Sequence, residues 1–256
     1  MPRHLQLIPD CAFAFALLAA VSGCGQSNNM ARAGGKARKL PQISRFQQQP
    51  SDRFLVELDE ISRGHPFKGM RSIQPHAGGH IHFDNSKDRW PKGGDEPTGY
   101  PAIYAVADGT VSRVDLRFGL PGGNDRYGLD LAFAVDAQGN TCQFCYSIEP
   151  MIPEPEKGFY RRFLLVGEGD EVRKGDIIAY MYTPPGVRDA HIHFHLRVDG
   201  RRDFLAPAIF TTDLARQFHD KWGDFGRDGD TRIPPCMGYR LDASENPFAT
   251  GPTDRL

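Results

Sequence analysis

Three histidines occupy every second position of one short, strand-like run in this chain. The run AHIHFHLRVDG, at residues 190 to 200, contains His191, His193 and His195. An earlier run, PHAGGHIHFDN at residues 75 to 85, repeats the string HIHF and adds a carboxylate, which gives His80, His82 and Asp84. Imidazole and carboxylate groups are common zinc ligands in proteins. The first hypothesis is therefore a zinc site shared by the two runs.

The spacing of these residues decides which of them could share one ion. Successive side chains of a β-strand point to opposite faces, so the three histidines of the later run share a face at intervals of about 6.6 Å. His80 and Asp84 would lie about 13 Å apart on a straight strand, which is too far for a single ion. We therefore expect the chain to bend there, and Gly78 and Gly79 provide the backbone freedom for it. A catalytic zinc takes three protein ligands and one water.

Other readings of the histidines stay open at this point. Histidines in strands are often partly buried and hydrogen-bonded to the backbone, and for either run alone this reading has about equal weight. His76 competes with His80 as the first ligand through the string HAGGH, but no carboxylate follows it four residues later. We expect His82 and His195 to support the ligands or to line a groove.

The order of several motifs resembles that of the M23 (lysostaphin/LytM-type) zinc metallopeptidases. The motifs are H-x-x-x-D from His80 to Asp84, the strings GYPAIYAVADGTV and GEGDEVRKGDIIAY, and H-x-H from His191 to His193, within about residues 76 to 206. The resemblance implies an antiparallel β-sheet sandwich or open barrel of the LytM (duplicated hybrid motif) type, with long loops and the active groove over one sheet. It also implies that His80, Asp84 and His193 bind zinc and that His191 assists the attacking water. Members of the family hydrolyse peptide bonds, commonly in peptidoglycan.

The sequence departs from the family pattern at three positions. His82 stands where the family usually has glycine, and His195 stands where it usually has glutamate. The family's second catalytic histidine, in a Y-x-H-L string, aligns with Tyr146 in FCYSIEP. A tyrosine hydroxyl can donate a hydrogen bond to a developing oxyanion, but it is a poor base at neutral pH. Tyr146 is therefore the expected oxyanion donor.

These motifs predict a zinc-dependent endopeptidase that acts on peptide bonds of the cell wall or on another peptide substrate. The alternative is a catalytically impaired envelope protein of the same fold that binds peptidoglycan or regulates a partner hydrolase. A third hypothesis is a metal-buffering protein that uses the surplus histidines. The formal net charge of −1 gives no basic surface for nucleic acid, so we expect no nucleic-acid partner.

The first residues predict export and lipidation. A short basic start, MPRH, precedes the apolar run CAFAFALLAAV, which is too short to span a bilayer. The string VSGC, which ends at Cys24, resembles the bacterial lipobox, in which the chain is cut before a cysteine that becomes lipid-modified. The resemblance implies a signal peptide at residues 1–23 and a lipid anchor at Cys24. Gly25 implies the periplasmic face of the outer membrane.

The rest of the chain predicts one β domain with polar flanks. Residues 24–52 are polar and basic with little periodicity, which predicts a flexible tether. Short alternating segments separated by turns predict an all-β domain at residues 53–212, with hairpins at Asp108-Gly109 and at residues 136–140. A short helix is expected at residues 212–223, and an irregular tail follows to residue 256. The polar loop at residues 85–101 is long enough to take part in function.

Three cysteines remain after Cys11 is removed with the signal peptide and Cys24 is lipidated. They are Cys142, Cys145 and Cys236. Because residues three apart in a strand face opposite sides, the first two would not readily bond each other. We expect a disulfide from one of them to Cys236 in an oxidising compartment.

Overall fold

Short antiparallel strands form the regular structure of this chain. The computed structural model describes residues 39–43, 53–65, 68–71, 74–77, 79–90, 96–120, 122–200, 209, 210, 214 and 217. All of them belong to one compact unit, Ala37–Leu256. The part of the chain that the structure describes contains no helix long and apolar enough to cross a membrane.

The described residues form eleven strands and three short 3-10 turns. The strands are β1 (Arg63–His65), β2 (Lys68–Arg71), β3 (Gln74–Ala77), β4 (Gly79–Phe83), β5 (Ala102–Tyr104), β6 (Gly109–Gly119), β7 (Asp125–Val135), β8 (Thr141–Glu149), β9 (Glu171–Val172), β10 (Ile177–Tyr180) and β11 (Ala190–Val198). The 3-10 turns are Leu58–Glu60, Pro97–Gly99 and Phe159–Phe163.

Seven of the strands form one antiparallel sheet in the order β1-β4-β11-β8-β7-β6-β9. Strands β5 and β10 form a second sheet, and β2 and β3 form a third. The turn between β7 and β8 is closed by Asp136, whose carboxylate accepts hydrogen bonds from the backbone N–H groups of Gln138 and Asn140. The prediction of an all-β chain with an antiparallel sheet is confirmed.

The hydrophobic core lies against one face of the seven-stranded sheet. Alternate residues of its central strands point into this core: Ile81 and Phe83 of β4, Phe144, Tyr146 and Ile148 of β8, and Ile192, Phe194 and Leu196 of β11. Each such side chain contributes about 1.5–3 kcal/mol when fully buried. Because side chains alternate, the residues between them are placed on the opposite face, where the two histidine runs lie.

Segments from the smaller sheet and its loops cover the core. The hydroxyl of Tyr127, a core residue of β7, donates to the carbonyl of Tyr180 at 2.6 Å and accepts from the backbone N–H of Tyr182 at 2.9 Å. Tyr127 is 1% exposed, so these hydrogen bonds lie inside the protein. They fix the segment after β10 against the large sheet.

One predicted turn is wrong. We expected a hairpin at Asp108-Gly109, but β5 pairs with β10 while β6 pairs with β7 and β9. Strand pairing is decided by burial across the whole domain, and the dipeptide that favours a turn does not fix which strands pair.

Several predictions fall mainly outside the described residues. They concern the signal peptide, Cys24, Cys236 and most of the tail. Of the predicted helix at residues 212–223, Leu214 and Gln217 are described and both are helical. Of the predicted tether, residues 39–43 are described: Gln42 forms an isolated parallel bridge with Val135, and Ile43 is buried in the core. The domain limits stay predictions.

Strands β7 and β8 approach each other closely at Gly128. A Cβ atom at this position would overlap the carbonyl oxygen of Tyr146 on the neighbouring strand. Gly128 pairs directly with Ser147, which lies on the histidine face. The glycine therefore keeps the spacing of the two strands and leaves the sheet surface beside the histidines without a side chain.

We expect Gly128→Ala to lower the free energy of unfolding by about 1–3 kcal/mol, because the added methyl group must push β7 away from β8. Urea unfolding measures this loss. Gly119→Ala on β6 is the matched control, since a Cβ atom there meets nothing within 4 Å, and its effect should stay within about 0.5 kcal/mol. Equal stability of the Gly128→Ala and wild-type proteins would contradict the close approach.

Candidate metal centre

The two histidine runs are neighbouring strands of the large sheet. Strand β11 pairs with β4 antiparallel, and the register places His193 opposite His80 and His191 opposite His82. Side chains of directly opposed residues on one face have Cβ atoms about 4.5–5.5 Å apart. The predicted meeting of the two runs across a sheet is therefore what the structure shows.

The imidazole rings of these residues are in contact. We call His80, His82, His191 and His193 the histidine cluster. The ring centroid of His80 lies 4.5 Å from that of His193 and 5.1 Å from that of His191. The rings of His82 and His191 are 4.8 Å apart, and those of His80 and His82 are 6.3 Å apart. His80 thus occupies the centre of the cluster.

The cluster is largely shielded from water. His80, His82 and His191 are each at most 2% exposed, while His193 is partly exposed at the edge of a groove. His195 continues the row along β11, with its ring centroid 5.4 Å from that of His193. Burial, together with the nearby guanidinium groups of Arg197 and Arg126, lowers the pKa of His195 to about 3. This imidazole is neutral at physiological pH.

The donor chemistry of the cluster suits zinc, although the side chains as placed do not form a ligand set. Among the described residues, no three histidine, cysteine, aspartate or glutamate side chains converge closely enough to hold a metal ion. Three imidazoles are nevertheless a known protein donor set for catalytic zinc. Directly opposed residues on one face have Cβ atoms close enough for two imidazoles to approach one ion.

A buried carboxylate that the sequence analysis did not single out contacts the cluster. Glu149 is the residue of β8 directly opposite His191, and its Oε2 lies 3.0 Å from Nε2 of His191. Nδ1 of His191 lies 2.8 Å from the carbonyl oxygen of Asp189. Both ring nitrogens of His191 therefore face oxygen acceptors.

The environment of Glu149 favours its ionised form. Burial acts to raise the pKa of this carboxyl, but the hydrogen bonds from His191 and Ser147 and the charges of His191 and His193 outweigh it and bring the pKa to about 2. Ser147 donates its hydroxyl hydrogen to Oε1 of Glu149 at 2.8 Å. A signal for this residue exists in the sequence: Ser147 and Glu149 are alternate residues of the strand that follows the hairpin at residues 136–140.

A groove of about 240 Å³ begins beside the cluster and crosses the same face of the sheet. Its floor includes Gly128 and Ser147, and His193 and His195 line one end. Half of the other lining residues are charged and come from β6, β7 and β11: Arg113, Asp115, Arg126, Asp130 and Arg197. The predicted groove over one sheet is present.

Asp84 does not lie with the histidines. Strand β4 runs straight from Gly79 to Phe83 in continuous register with β11, so the bend that we expected is absent. The carboxylate of Asp84 is exposed, and its Oδ1 accepts a hydrogen bond from the backbone N–H of Ser86 at 2.8 Å. Hydrogen bonds from the side chain and the backbone of Ser86 lower the pKa of Asp84. Asp84 lines a separate cavity with Ser62, Ser86, Lys87 and Arg89. The structure does not bring this predicted ligand to His80 and His193.

Tyr146 lies on the opposite face of the sheet from the histidine cluster. Its hydroxyl accepts a hydrogen bond from the backbone N–H of Val106 at 3.0 Å and donates to the carbonyl oxygen of Tyr104 at 3.2 Å. Burial raises the pKa of Tyr146 far above its ordinary value. The expected role of Tyr146 as an oxyanion donor is therefore incompatible with its position. The neighbouring residue of the strand, Ser147, is the one paired with His193 on the histidine face.

The remaining candidates divide between the two faces and other sheets. Cys145 lies on the histidine face opposite His195, whereas Cys142 lies on the core side, and both are buried thiols. The expected disulfide to Cys236 stays a prediction. His76 belongs to β3 and pairs with Gly69 in the separate two-stranded sheet.

Comparisons with known proteins give remote structural likeness. No protein-family model matches the chain, and no curated protein matches it. Three similar solved structures are the catalytic domain of the antimicrobial peptidase lysostaphin from Staphylococcus simulans, a zinc-containing peptidase from Vibrio cholerae and a Pseudomonas aeruginosa structure assigned to peptidase M23.

The likeness is low in every case. For the lysostaphin domain the identity is 16%, the coverage is 56% of this chain and 85% of that chain, and the TM-score is 0.32. For the Vibrio cholerae peptidase the identity is 15%, the coverage is 66% of this chain and 39% of that chain, and the TM-score is 0.31. For the Pseudomonas aeruginosa structure the identity is 17%, the coverage is 66% of this chain and 55% of that chain, and the TM-score is 0.31. The chain thus spans well under two thirds of the last two proteins. Likeness of this degree says nothing about activity.

We expect Tyr146→Phe to lower the free energy of unfolding by about 1–3 kcal/mol, because the buried N–H of Val106 and the carbonyl of Tyr104 lose their hydrogen-bond partner. Urea unfolding measures this change. Zinc affinity, measured on the folded variant by calorimetry, should stay at the wild-type value, since the hydroxyl lies behind the sheet. A variant with wild-type stability and altered zinc binding would place Tyr146 at the histidine face.

Proposed function

We propose that the chain is a zinc-dependent hydrolase of peptide bonds of the M23 type, which acts on cell-wall peptides. The observation that carries the proposal is the cross-strand pair of His80 and His193, whose rings lie 4.5 Å apart on the face that carries the groove. These two residues hold the ligand positions of the motif that the sequence shares with the family.

In this proposal His80, His82 and His193 hold the zinc ion. The first two are alternate residues of β4 on one face, and His193 is the directly opposed residue of β11. All three are imidazoles, which are zinc ligands in their neutral form. Zinc, when bound, polarises a carbonyl group and lowers the pKa of a bound water toward neutrality.

His191 is the residue that orients the attacking water. Its Nδ1–H donates to the carbonyl of Asp189, which fixes the ring and turns Nε2 toward the cluster and Glu149. The ring lies beside that of His80, so the water is oriented next to the metal ligands.

The groove provides a place for an extended substrate. It starts at His193 and runs across four strands, and its floor at Gly128 carries no side chain. Arg126 and Asp130 offer one cation and one anion along its wall, which suits the mixed charges of a peptide. We extend the proposal to the location of the protein: the lipobox-like string supports an anchor at Cys24 in the periplasm.

We expect the purified chain to clear peptidoglycan in a zymogram in the presence of zinc, and we expect a chelator or His193→Ala to abolish the clearing. His76→Ala is the matched control, because His76 belongs to a different sheet and should leave clearing unchanged. Circular dichroism of each variant confirms that it is folded.

The opposite result has a defined meaning. Absence of clearing by the folded, zinc-loaded wild type on peptidoglycan and on released wall peptides would contradict the hydrolase proposal. Retained binding of peptidoglycan in a sedimentation assay would then favour the alternative of an envelope protein that binds it without cleavage.

We expect His82→Ala to weaken zinc binding by at least about tenfold and Asp84→Asn to change it by less than about threefold, since His82 lies in the cluster and Asp84 lies in another cavity. Isothermal titration with zinc measures both. The reverse order of effects would show that Asp84 moves to the metal and that the ligand set is the one that the family motif implies.

A further inference from the structure

The charged side chains that line the groove do not balance one another. Among the described residues of this lining, three carry guanidinium groups and two carry carboxylates. Arg113 pairs with Asp115 at 2.9 Å, and Arg197 pairs with Asp130 at 3.0 Å. These two pairs are neutral, so Arg126 is the guanidinium that the groove carries in excess. Its positive charge favours a negatively charged group on the occupant of the groove.

We propose that Arg126 is a specificity-determining residue of the groove and that it binds a carboxylate group of the peptide substrate. The inference rests on the proposed function for the nature of that substrate, which is a peptide of the cell wall. The carboxylate site itself is a property of the folded chain, and it can be tested by binding without hydrolysis.

Strand register places the floor of the groove along one row of directly paired residues. The row runs across β11, β8, β7 and β6 through His193, Ser147, Gly128 and Asp115. The middle of the row is low, because serine is small and glycine has no side chain. Arg126 comes two residues before Gly128 on β7, so its side chain leaves the sheet on the same face and stands beside this low stretch.

The register also fixes how far Arg126 lies from the metal side of the groove. Strand β7 is two strands away from β11, which at about 4.8 Å per strand is a separation of about 10 Å. An extended peptide advances about 3.3 Å per residue. A substrate that crosses the strands from the histidines therefore reaches Arg126 after about three residues, and we expect its carboxylate at that distance from the cleaved bond.

The guanidinium group of Arg126 is held in place by contacts that leave donors for a ligand. Its central carbon lies 4.1 Å from the ring centroid of Phe118, the directly paired residue of β6. Nη1 donates to Oγ of Ser147 at 2.9 Å, and this is its one hydrogen bond among the described residues. A guanidinium group has five N–H donors in a fixed plane. The stacked ring and the single hydrogen bond thus fix the plane and leave most donors available.

The nearby carboxylate of Glu149 does not take these donors. Its Oε1 lies 3.5 Å from Nη1 of Arg126, whereas its Oε2 lies 3.0 Å from Nε2 of His191. The Glu149 side chain is 9% exposed and that of Arg126 is 27% exposed, so the guanidinium and not the carboxylate faces the groove. A planar guanidinium group in this position can bind a carboxylate through two parallel hydrogen bonds.

The direct test compares peptides that differ in one negative charge. The probes are a synthetic stem peptide of the cell wall and its variants in which one carboxylate at a time is replaced by the isosteric carboxamide. Isothermal titration of the full chain with a chelator present measures binding without zinc-dependent hydrolysis. In the wild type we expect one of these replacements to weaken binding about tenfold.

The variant Arg126→Gln should lose this tenfold ratio, because no cation remains to distinguish a carboxylate from a carboxamide. A change in groove shape alone would weaken both peptides equally and keep the ratio. Arg162→Gln is the matched control, since Arg162 also pairs with a glutamate and stacks over a phenylalanine, but outside the groove. We expect the control to keep the wild-type ratio.

A second variant removes the support of the guanidinium group and serves if Arg126→Gln fails to fold. Phe118 is 44% exposed, so Phe118→Ala should leave the core intact, and we expect it to reduce the ratio about threefold. Leu116→Ala is its control, because Leu116 is 42% exposed on the same strand and does not line the groove. An unchanged ratio in Phe118→Ala would then contradict the proposed site.

The outcomes separate the carboxylate site from the proposed hydrolase. Equal binding of all the peptides by the wild type, no binding of any of them, or a ratio that Arg126→Gln retains would overturn the carboxylate site. Cleavage of the peptides with zinc but without such discrimination would overturn the site and leave the hydrolase standing. Discrimination without any cleavage by the zinc-loaded protein would overturn the hydrolase and leave the carboxylate site established.

Discussion

The antiparallel register of β4 and β11 is the constraint on which the candidate site depends. This register places His80 opposite His193 and His82 opposite His191. A slip of one residue would turn every histidine of one strand into the core, because the side-chain period of a strand is two. The apolar residues between the histidines prevent the slip: Ile81, Phe83, Ile192 and Phe194 are all fully buried on the other face. Each of these four residues contributes about 1.5–3 kcal/mol when fully buried. The core therefore specifies where the metal-binding side chains go.

Burying several imidazoles beside one another has an energetic cost that folding alone does not require. A buried polar group is tolerated when it is hydrogen-bonded or neutral. The chain uses both means. The lowered pKa of His195 keeps that imidazole neutral. The two ring nitrogens of His191 contact the carboxylate of Glu149 and the carbonyl of Asp189. Apolar residues would fill this face at lower cost. Sites that break the local rules of folding in this way are where function is expected.

The sequence predicts the local features of this site and misses the long-range ones. Alternation alone places His191, His193 and His195 on one face, and the turn at residues 136–140 follows from its composition; both agree with the structure. Glu149 was not found, since its nearness to His191 depends on pairing between strands that are 42 residues apart in the chain. The expected role of Tyr146 failed for a related reason. A single position in a strand decides which of the two faces a side chain takes, and the pairing of β8 turns Tyr146 into the core.

The choice between two carboxylates for the site follows from how each one is held. Asn85, next to Asp84, is fully buried: its side chain donates to the carbonyl of Thr183 and accepts from the N–H of Trp90, while its backbone pairs with residues 186 and 187. Four such hydrogen bonds contribute about 2–6 kcal/mol in total. These hydrogen bonds fix the backbone just after Asp84, and strand β4 fixes the backbone just before it. The carboxylate can therefore move only by rotation of its own short side chain. That motion covers a small part of the roughly 13 Å of straight strand between Asp84 and His80. Glu149 needs no such motion, because the sheet has already placed it against the cluster.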